Sequence, residues 1–191
     1  MTLRESLASR RGYFALSLAV LALDQATKLA ADAWLRGKGP VAVVPGFLNL
    51  WHSTNRGGLF GMLATWDDPF RFLLLTVLPF AVAVGIAVFL ARTEESSKAA
   101  LAGLGLILGG ALGNLLDRAF RGEVVDFVDA YVSHAGLALW LSDRFGTAHW
   151  PTFNVADSAI VVGAGLLILD LLRPGDRASG RNEERGPAPT E

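Results

Sequence analysis

The sequence predicts an all-α membrane protein, a bundle of four transmembrane helices with short strands in its first long loop. Three observations carry this expectation. Of 191 residues, 52% are apolar and only 18% are charged, with a mean hydropathy of +0.40; charge falls below the ~25% usual for soluble domains. Charge is also segregated. Residues 72–91 and 99–116 contain no Asp, Glu, Lys or Arg, while residues 174–191 contain no large apolar side chain. Finally, three short Lys/Arg-rich segments fall on one side of a four-span layout. This pattern excludes an ordinary soluble domain, a disordered chain and a binder of nucleic acid through a basic surface. Cysteine is absent, which excludes disulfides, thiolate metal sites and a cysteine nucleophile.

The first span covers about residues 12–35. It is apolar up to Leu23 and then carries Asp24, Lys28 and Asp32. Arg4, Arg10 and Arg11 before it, and Ala31-Asp32-Ala33 within it, loosely resemble a cleaved signal peptide. The paired charges at Asp24 and Lys28 favour a retained span with a functional polar half. Val41–Leu50 is rich in β-branched and apolar residues and reads as short strands. The second span, about 69–91, includes twenty uncharged residues, which at ~1.5 Å each reach the ~30 Å of a bilayer core. Pro79 inside it argues against a soluble core helix and is tolerated in a span. The third span covers about 99–117 and the fourth about 155–172.

Arg4, Arg10 and Arg11, then Arg92 and Lys98, then Arg173, Arg177, Arg181 and Arg185 mark the cytoplasmic side by the positive-inside rule. Both termini are therefore expected in the cytoplasm. The loops of about 36–68 and 118–154 face outward. Residues 1–173 form one membrane domain, and 174–191, rich in Gly, Pro, Arg and Glu, are expected to be a disordered cytoplasmic tail.

Ionisable and amide groups beside a span are costly, so each needs a reason. Asp24 and Lys28 stand at i and i+4 and can pair on one helix face, as a structural ion pair or as part of a site. Asn55-Arg56-Gly57-Gly58-Leu59-Phe60-Gly61 reads as a compact turn. Gly105, Gly109 and Gly113 recur every four residues and make a stripe for close helix packing. Asn114, Asp117 and Arg118 extend one face of that helix at its outer end. Asp126, in Val124-Val125-Asp126-Phe127-Val128-Asp129, is by itself a loop acid or helix cap. Asn154 and Asp157 suit an N-cap and a first-turn acid. Singly, each cluster has a structural explanation. Together Asn114, Asp117, Arg118, Asp126, Asn154 and Asp157 map to the outward end of the bundle. Two acids brought together there can share a proton, one activating water and the other protonating a leaving group. His52, His134 and His149 lack metal-ligand spacing, so no metal is expected.

Five ordered blocks, DQATK, NRGGLFG, GGALGNLLDR, VVDFVD and FNVADS, make the sequence resemble the lipoprotein signal peptidases, the signal peptidase II family. The resemblance covers most of residues 13–173. It implies a four-span bacterial inner-membrane aspartyl endopeptidase that removes the signal peptide of prolipoproteins just before a diacylglyceryl-modified cysteine. On the matching motifs, Asp126 and Asp157 would be the catalytic pair. Asn55, Asn114, Arg118 and Asn154 would hold the substrate. Asp24 and Lys28 would be polar support, and Asp117 would orient Arg118. Residues around 41–62 would form an extramembrane β-platform beside an outer-leaflet cleft. The implied partners are prolipoproteins and membrane lipids, with no nucleic acid, no cofactor and a monomeric state.

Two features depart from the family pattern. Gly57-Gly58-Leu59 replaces the usual alanine-rich form, and residues 132–152 are longer than the family norm. That segment carries Leu137–Leu141, Trp140 and Trp150, and reads either as an interfacial helix or lid, or as an insertion without function. The competing functional reading is a small transporter or channel subunit whose membrane acids bind an ion or proton.

Overall fold

The computed structural model describes residues 3–56, 68–94 and 97–172. Six α-helices and three strands follow in the order α1 (Leu3–Leu35), β1 (Val41–Val44), β2 (Leu48–Asn55), α2 (Asp68–Phe72), α3 (Leu78–Arg92), α4 (Lys98–Arg121), β3 (Val124–Ala130), α5 (Ala135–Phe145) and α6 (Val155–Leu172). Among the described residues, four stretches are long and apolar enough to cross a membrane: Ser9–Leu35, Pro69–Arg92, Lys98–Arg121 and Val155–Leu172. The expected tail at 174–191 and Gly57–Gly61 of the asparagine-glycine block lie outside the described residues.

Helix α1 starts at Leu3, before the expected start of the first span at about residue 12. Ala31-Asp32-Ala33 lies inside this helix, with Ala31 buried, which suits a retained span. Between α2 and α3 the chain widens into a π-helical turn, Leu73–Val77. Proline lacks an N–H and its ring crowds the carbonyl four residues back. Pro79 follows directly at the start of α3, and the wider turn accommodates it.

Helix α4 is the central helix and the most deeply buried of the four spans. Small residues let it approach its neighbours. A Cβ on Gly103 would lie 2.7 Å from the Gly163 carbonyl oxygen of α6, and one on Gly109 would lie 2.6 Å from the Ser17 carbonyl oxygen of α1. Ser17 Oγ donates to the Gly105 carbonyl at 2.8 Å, so α1 and α4 are also joined by a hydrogen bond. On the α3 side, Ala83, Leu108 and Leu115 form a buried cluster against Phe14, Ile86 and Ala111.

Gly122, in the left-handed region at φ 77°, ends α4. Only two residues later the chain enters β3. The strands form one antiparallel sheet in the order β1-β2-β3. Its register pairs Ser53 with Asp126 and Asn55 with Val124. The expected platform is thus a three-stranded sheet, and its third strand is the VVDFVD block itself, where the sequence alone suggests a loop acid or helix cap. After α5 the chain returns beside β3 through bridges Tyr131–His149 and Val128–Phe153, which deliver it to the start of α6.

Candidate active site

Three constraints bring the acids together. The Gly122 turn places Asp126 just beyond the end of α4. The Val128–Phe153 bridge places Asn154 beside β3. Asn154 then caps α6: its Oδ1 accepts from the Asp157 N–H at 2.9 Å, and Asp157 Oδ2 accepts from the Asn154 N–H at 3.2 Å. This reciprocal pair is a capping box. The cap reading of these two residues is therefore realised, and the cap also faces the second acid. Asn154 Nδ2 donates to Asp126 Oδ1 at 2.8 Å.

The remaining oxygens are also held. Asn55 Nδ2, from the end of β2, donates to Asp126 Oδ2 at 3.2 Å. Residue 55 lies two positions from Ser53, the cross-strand partner of Asp126, where a diagonal side chain reaches. Asn114 Nδ2, from α4, donates to Asp157 Oδ1 at 2.8 Å. Arg118 donates to the Asn114 carbonyl at 3.4 Å, and its guanidinium lies within electrostatic range of Asp157, Asp126 and Asp117.

Asp126 lies on β3, outside the spans. Burial, and then the nearby charge of Asp157, push its carboxyl up to about 7. Hydrogen bonds from Asn55 and Asn154, and the charge of Lys28, pull the other way. Desolvation and a like charge both disfavour ionisation, so this acid holds its proton to higher pH than an ordinary carboxyl.

Beneath the pair lies a buried charge cluster. Lys28 Nζ is 2.8 Å from Asp24 Oδ2 and 2.8 Å from Asp117 Oδ2, all three side chains being inaccessible. Arg121, one turn beyond Asp117, makes a close ion pair with its other oxygen. Two carboxylates thus meet two cations, the condition under which buried charge is tolerable. Asp24 Oδ1 also accepts from the Ala156 N–H at 2.9 Å, and Asp117 Oδ2 accepts from the Val125 N–H at 3.2 Å. The cluster therefore grips the backbone beside each candidate acid.

All nine residues singled out in the sequence lie in this one region. Asp117 directly engages Lys28, Arg121, Gln25 and the Val125 N–H, and it acts on Arg118, the residue it is expected to orient, as a nearby charge. Two participants were missed. Gln25 donates to Asp24, to the Gly113 carbonyl and to Asp117 at 3.1–3.2 Å, and Arg121 closes the charge balance. The i, i+4 spacing of Asp117 and Arg121 was the available signal. Among the described residues, no three His, Cys, Asp or Glu side chains converge as a metal site.

The comparisons with known proteins agree with one another. Residues 16–173 match the family model described as signal peptidase (SPase) II. A lipoprotein signal peptidase of Solibacter usitatus is 42% identical over 160 residues, spanning 84% of this chain and 90% of the relative. One from Geobacter sulfurreducens is 39% identical over 181 residues, spanning 94% and 97%. Two solved structures described as bacterial membrane enzymes share the fold. One has a TM-score of 0.69 at 24% identity and covers 92% of this chain and 94% of its own. The other has a TM-score of 0.68 at 25% identity and covers 86% and 94%.

Proposed function

The chain belongs to the signal peptidase II family, and on that premise we propose that it is an aspartic endopeptidase whose catalytic pair is Asp126 and Asp157. It is a bacterial multi-pass membrane protein with the function of a lipoprotein signal peptidase. The proposed substrates are prolipoproteins bearing a diacylglyceryl-cysteine, cut just before that residue. The observation that carries this reading is the single residue Asn154, whose side chain holds one carboxyl and whose backbone holds the other.

Asp126 enters the reaction protonated and Asp157 as carboxylate. Asp157 removes a proton from a water molecule as its oxygen attacks the scissile carbonyl carbon. Asp126 donates its proton toward the carbonyl oxygen, giving a neutral gem-diol. Collapse breaks the C–N bond. The amine departs with the proton held by Asp157, and Asp126 recovers its own proton from the second hydroxyl. Atoms and charges balance, and the chemistry uses no metal or organic cofactor.

Asn55, Asn114 and Asn154 fix the two carboxyls, and Arg118 supplies a cation beside them for the substrate backbone. Asp24, Lys28 and Asp117 support the helices from below. The peptide must leave its helix before cleavage, because a hydrogen-bonded span hides its amides, and its acyl chains stay between the spans in the bilayer. The positive-inside pattern supports cytoplasmic termini and an active site at the outer leaflet. The unit that acts is a monomer, since every group invoked comes from one chain. The ion-relay reading of the same acids has no support from the family. The test is cleavage of a lipidated substrate by the purified protein and its Asp126→Asn and Asp157→Asn variants. Normal cleavage by either folded variant overturns the assignment.

A further inference from the structure

Asp129 is a buried acid that the proposed chemistry leaves unused. It stands three positions after Asp126 on β3. Alternation along a strand turns side chains at that spacing to opposite faces, so Asp129 does not share the site. It joins two other segments instead. Asn49 of β2 is its cross-strand partner, and Asn49 Nδ2 donates to Asp129 Oδ2 at 2.9 Å. His149, on the segment that leads into α6, places Nδ1 2.8 Å from Asp129 Oδ1. A carboxylate accepts and does not donate, so this contact makes Nδ1 the protonated nitrogen. The His149 ring also stacks on Tyr131, with centroids 5.2 Å apart.

The backbone pairing of that returning segment is interrupted. Its two bridges to β3 are Tyr131–His149 and Val128–Phe153. Between them β3 runs from 131 to 128 while the returning segment runs from 149 to 153. The returning segment therefore carries one extra residue, a bulge. Pro151 lies inside the bulge and has no N–H to give a ladder. On the far side of the bulge the Val132 N–H donates to the Ala148 carbonyl at 3.0 Å, and the Trp150 N–H to the Ala130 carbonyl at 2.8 Å. On the site side the Phe153 N–H donates to the Val128 carbonyl at 3.1 Å, and the Val128 N–H to the Phe153 carbonyl at 2.9 Å.

Asn154 follows Phe153 directly, and its Nδ2 donates to Asp126 Oδ1 at 2.8 Å. A slip of one residue along β3 reverses the face to which each side chain points. Such a slip would take Asn154 off Asp126. The Asp129–His149 contact is the side-chain link that opposes it, on the side of the bulge away from the site.

We propose that Asp129 is a positioning residue for the cleavage reaction: held between Asn49 and His149, it fixes the register of residues 148–153 against β3 and so seats Asn154 on Asp126. The register role stands on the fold alone; its effect on cleavage rests on the proposed aspartic chemistry.

The test compares Asp129→Asn with Asp129→Val in the full chain. Both remove the charge. An asparagine can still accept from His149 and can donate to Asn49 once that amide turns over, whereas valine can do neither. Asp129→Val should lower kcat about 10-fold with KM within about twofold, the pattern of a displaced catalytic group. Asp129→Asn should stay within about threefold of the parent in both. The alkaline limb of kcat/KM should move to higher pH in the valine variant, because the Asn154 hydrogen bond favours ionised Asp126. A general loss of stability would not move that limb. His149→Phe keeps a ring against Tyr131 without the donor and should move the limb the same way. Added to Asp129→Val, it should cost nothing more, since the two act as one unit. Amide hydrogen exchange over residues 147–157 should quicken in Asp129→Val and match the parent in Asp129→Asn. Equal kinetics for the asparagine and valine variants overturn the proposal, as does an unmoved limb or a rise in KM alone. If Asp129→Val does not fold, His149→Phe decides by the same readouts. If exchange follows the expected pattern while Asp126→Asn still cleaves normally, the catalytic reading fails and the register role stands.

Discussion

Lys28 Nζ donates to Asn114 Oδ1 at 3.0 Å, and this contact decides which end of the Asn114 amide faces Asp157. An ammonium can only donate. Asn114 must therefore turn its oxygen to Lys28 and its Nδ2 to Asp157 Oδ1. Asn154 Nδ2 also donates to Asn114 Oδ1, at 3.2 Å. A structural cation thus sets a hydrogen bond in the candidate catalytic pair without touching either acid.

Replacing Lys28 with Met should cost stability before it costs chemistry. The change leaves Asp24 and Asp117, both fully buried, with Arg121 as the remaining cation of the cluster. Breaking a buried pair on one side costs about 3–5 kcal/mol. A thermal melt in detergent should show a large drop, and adding Asp117→Asn should recover part of it. An unchanged melt for Lys28→Met would sink the support role of this residue.

Asp126→Asn should abolish cleavage and, at alkaline pH, raise the melting temperature. Activity should fall at least about 100-fold, the lower range for removal of a general acid. The stability sign follows from a carboxyl whose folded value is raised from the ordinary 3.8 to about 7. Its proton is held more tightly in the folded state, so the contribution to stability is full below 3.8 and lost as pH rises through about 7. The variant, which never ionises there, should match the parent in acid and exceed it by several degrees at pH values above about 7. Equal melting curves at every pH would remove the raised carboxyl from the account.

The helix pattern and the pairing of Asp24 with Lys28 were legible because both depend on local spacing. The capping box of Asn154 and Asp157 was legible for the same reason, although the sequence could not tell that the cap also faces Asp126. What was not legible was long-range. The VVDFVD block became a strand because β2 offered it an edge in the register that sets Ser53 opposite Asp126. Adjacency in sequence points Asp117 toward Arg118, while its direct contacts to Lys28 on another helix and to Arg121 one turn on depend on how the helices pack. The segment 132–152 does contain a helix, but sequence alone did not reveal that its two ends are bridged beside β3.

Asn55→Ala should move the alkaline limb of the pH–activity profile upward. With the proton on Asp126 required, activity falls as pH rises through about 7, the value given by burial and the Asp157 charge. The Asn55 hydrogen bond, at 3.2 Å, favours the ionised form. Its removal strengthens proton binding and should shift that limb toward higher pH, together with a loss of rate from a less fixed carboxyl. The measurement is kcat/KM across pH for parent and variant. A limb that moves to lower pH would show that Asn55 stabilises the protonated acid instead.

Two glycine-to-alanine changes should act in opposite directions. A Cβ on Gly109 would sit 2.6 Å from the Ser17 carbonyl oxygen and 2.8 Å from Val20 Cβ. Both neighbours belong to α1, one of them its backbone, so α1 and α4 must separate. Overpacking of this kind costs about 1–3 kcal/mol. Separation also pulls Lys28 of α1 away from Asn114 and Asp117 of α4, so Gly109→Ala should lower activity as well as the melting temperature. Gly85 of α3 has nothing within 4 Å of its Cβ position, and alanine there gains helix propensity of up to about 1 kcal/mol by aqueous scales. Gly85→Ala should therefore melt no lower than the parent and cleave at the parental rate. If both variants melt alike, close approach of α1 and α4 is not what the Gly109 position provides.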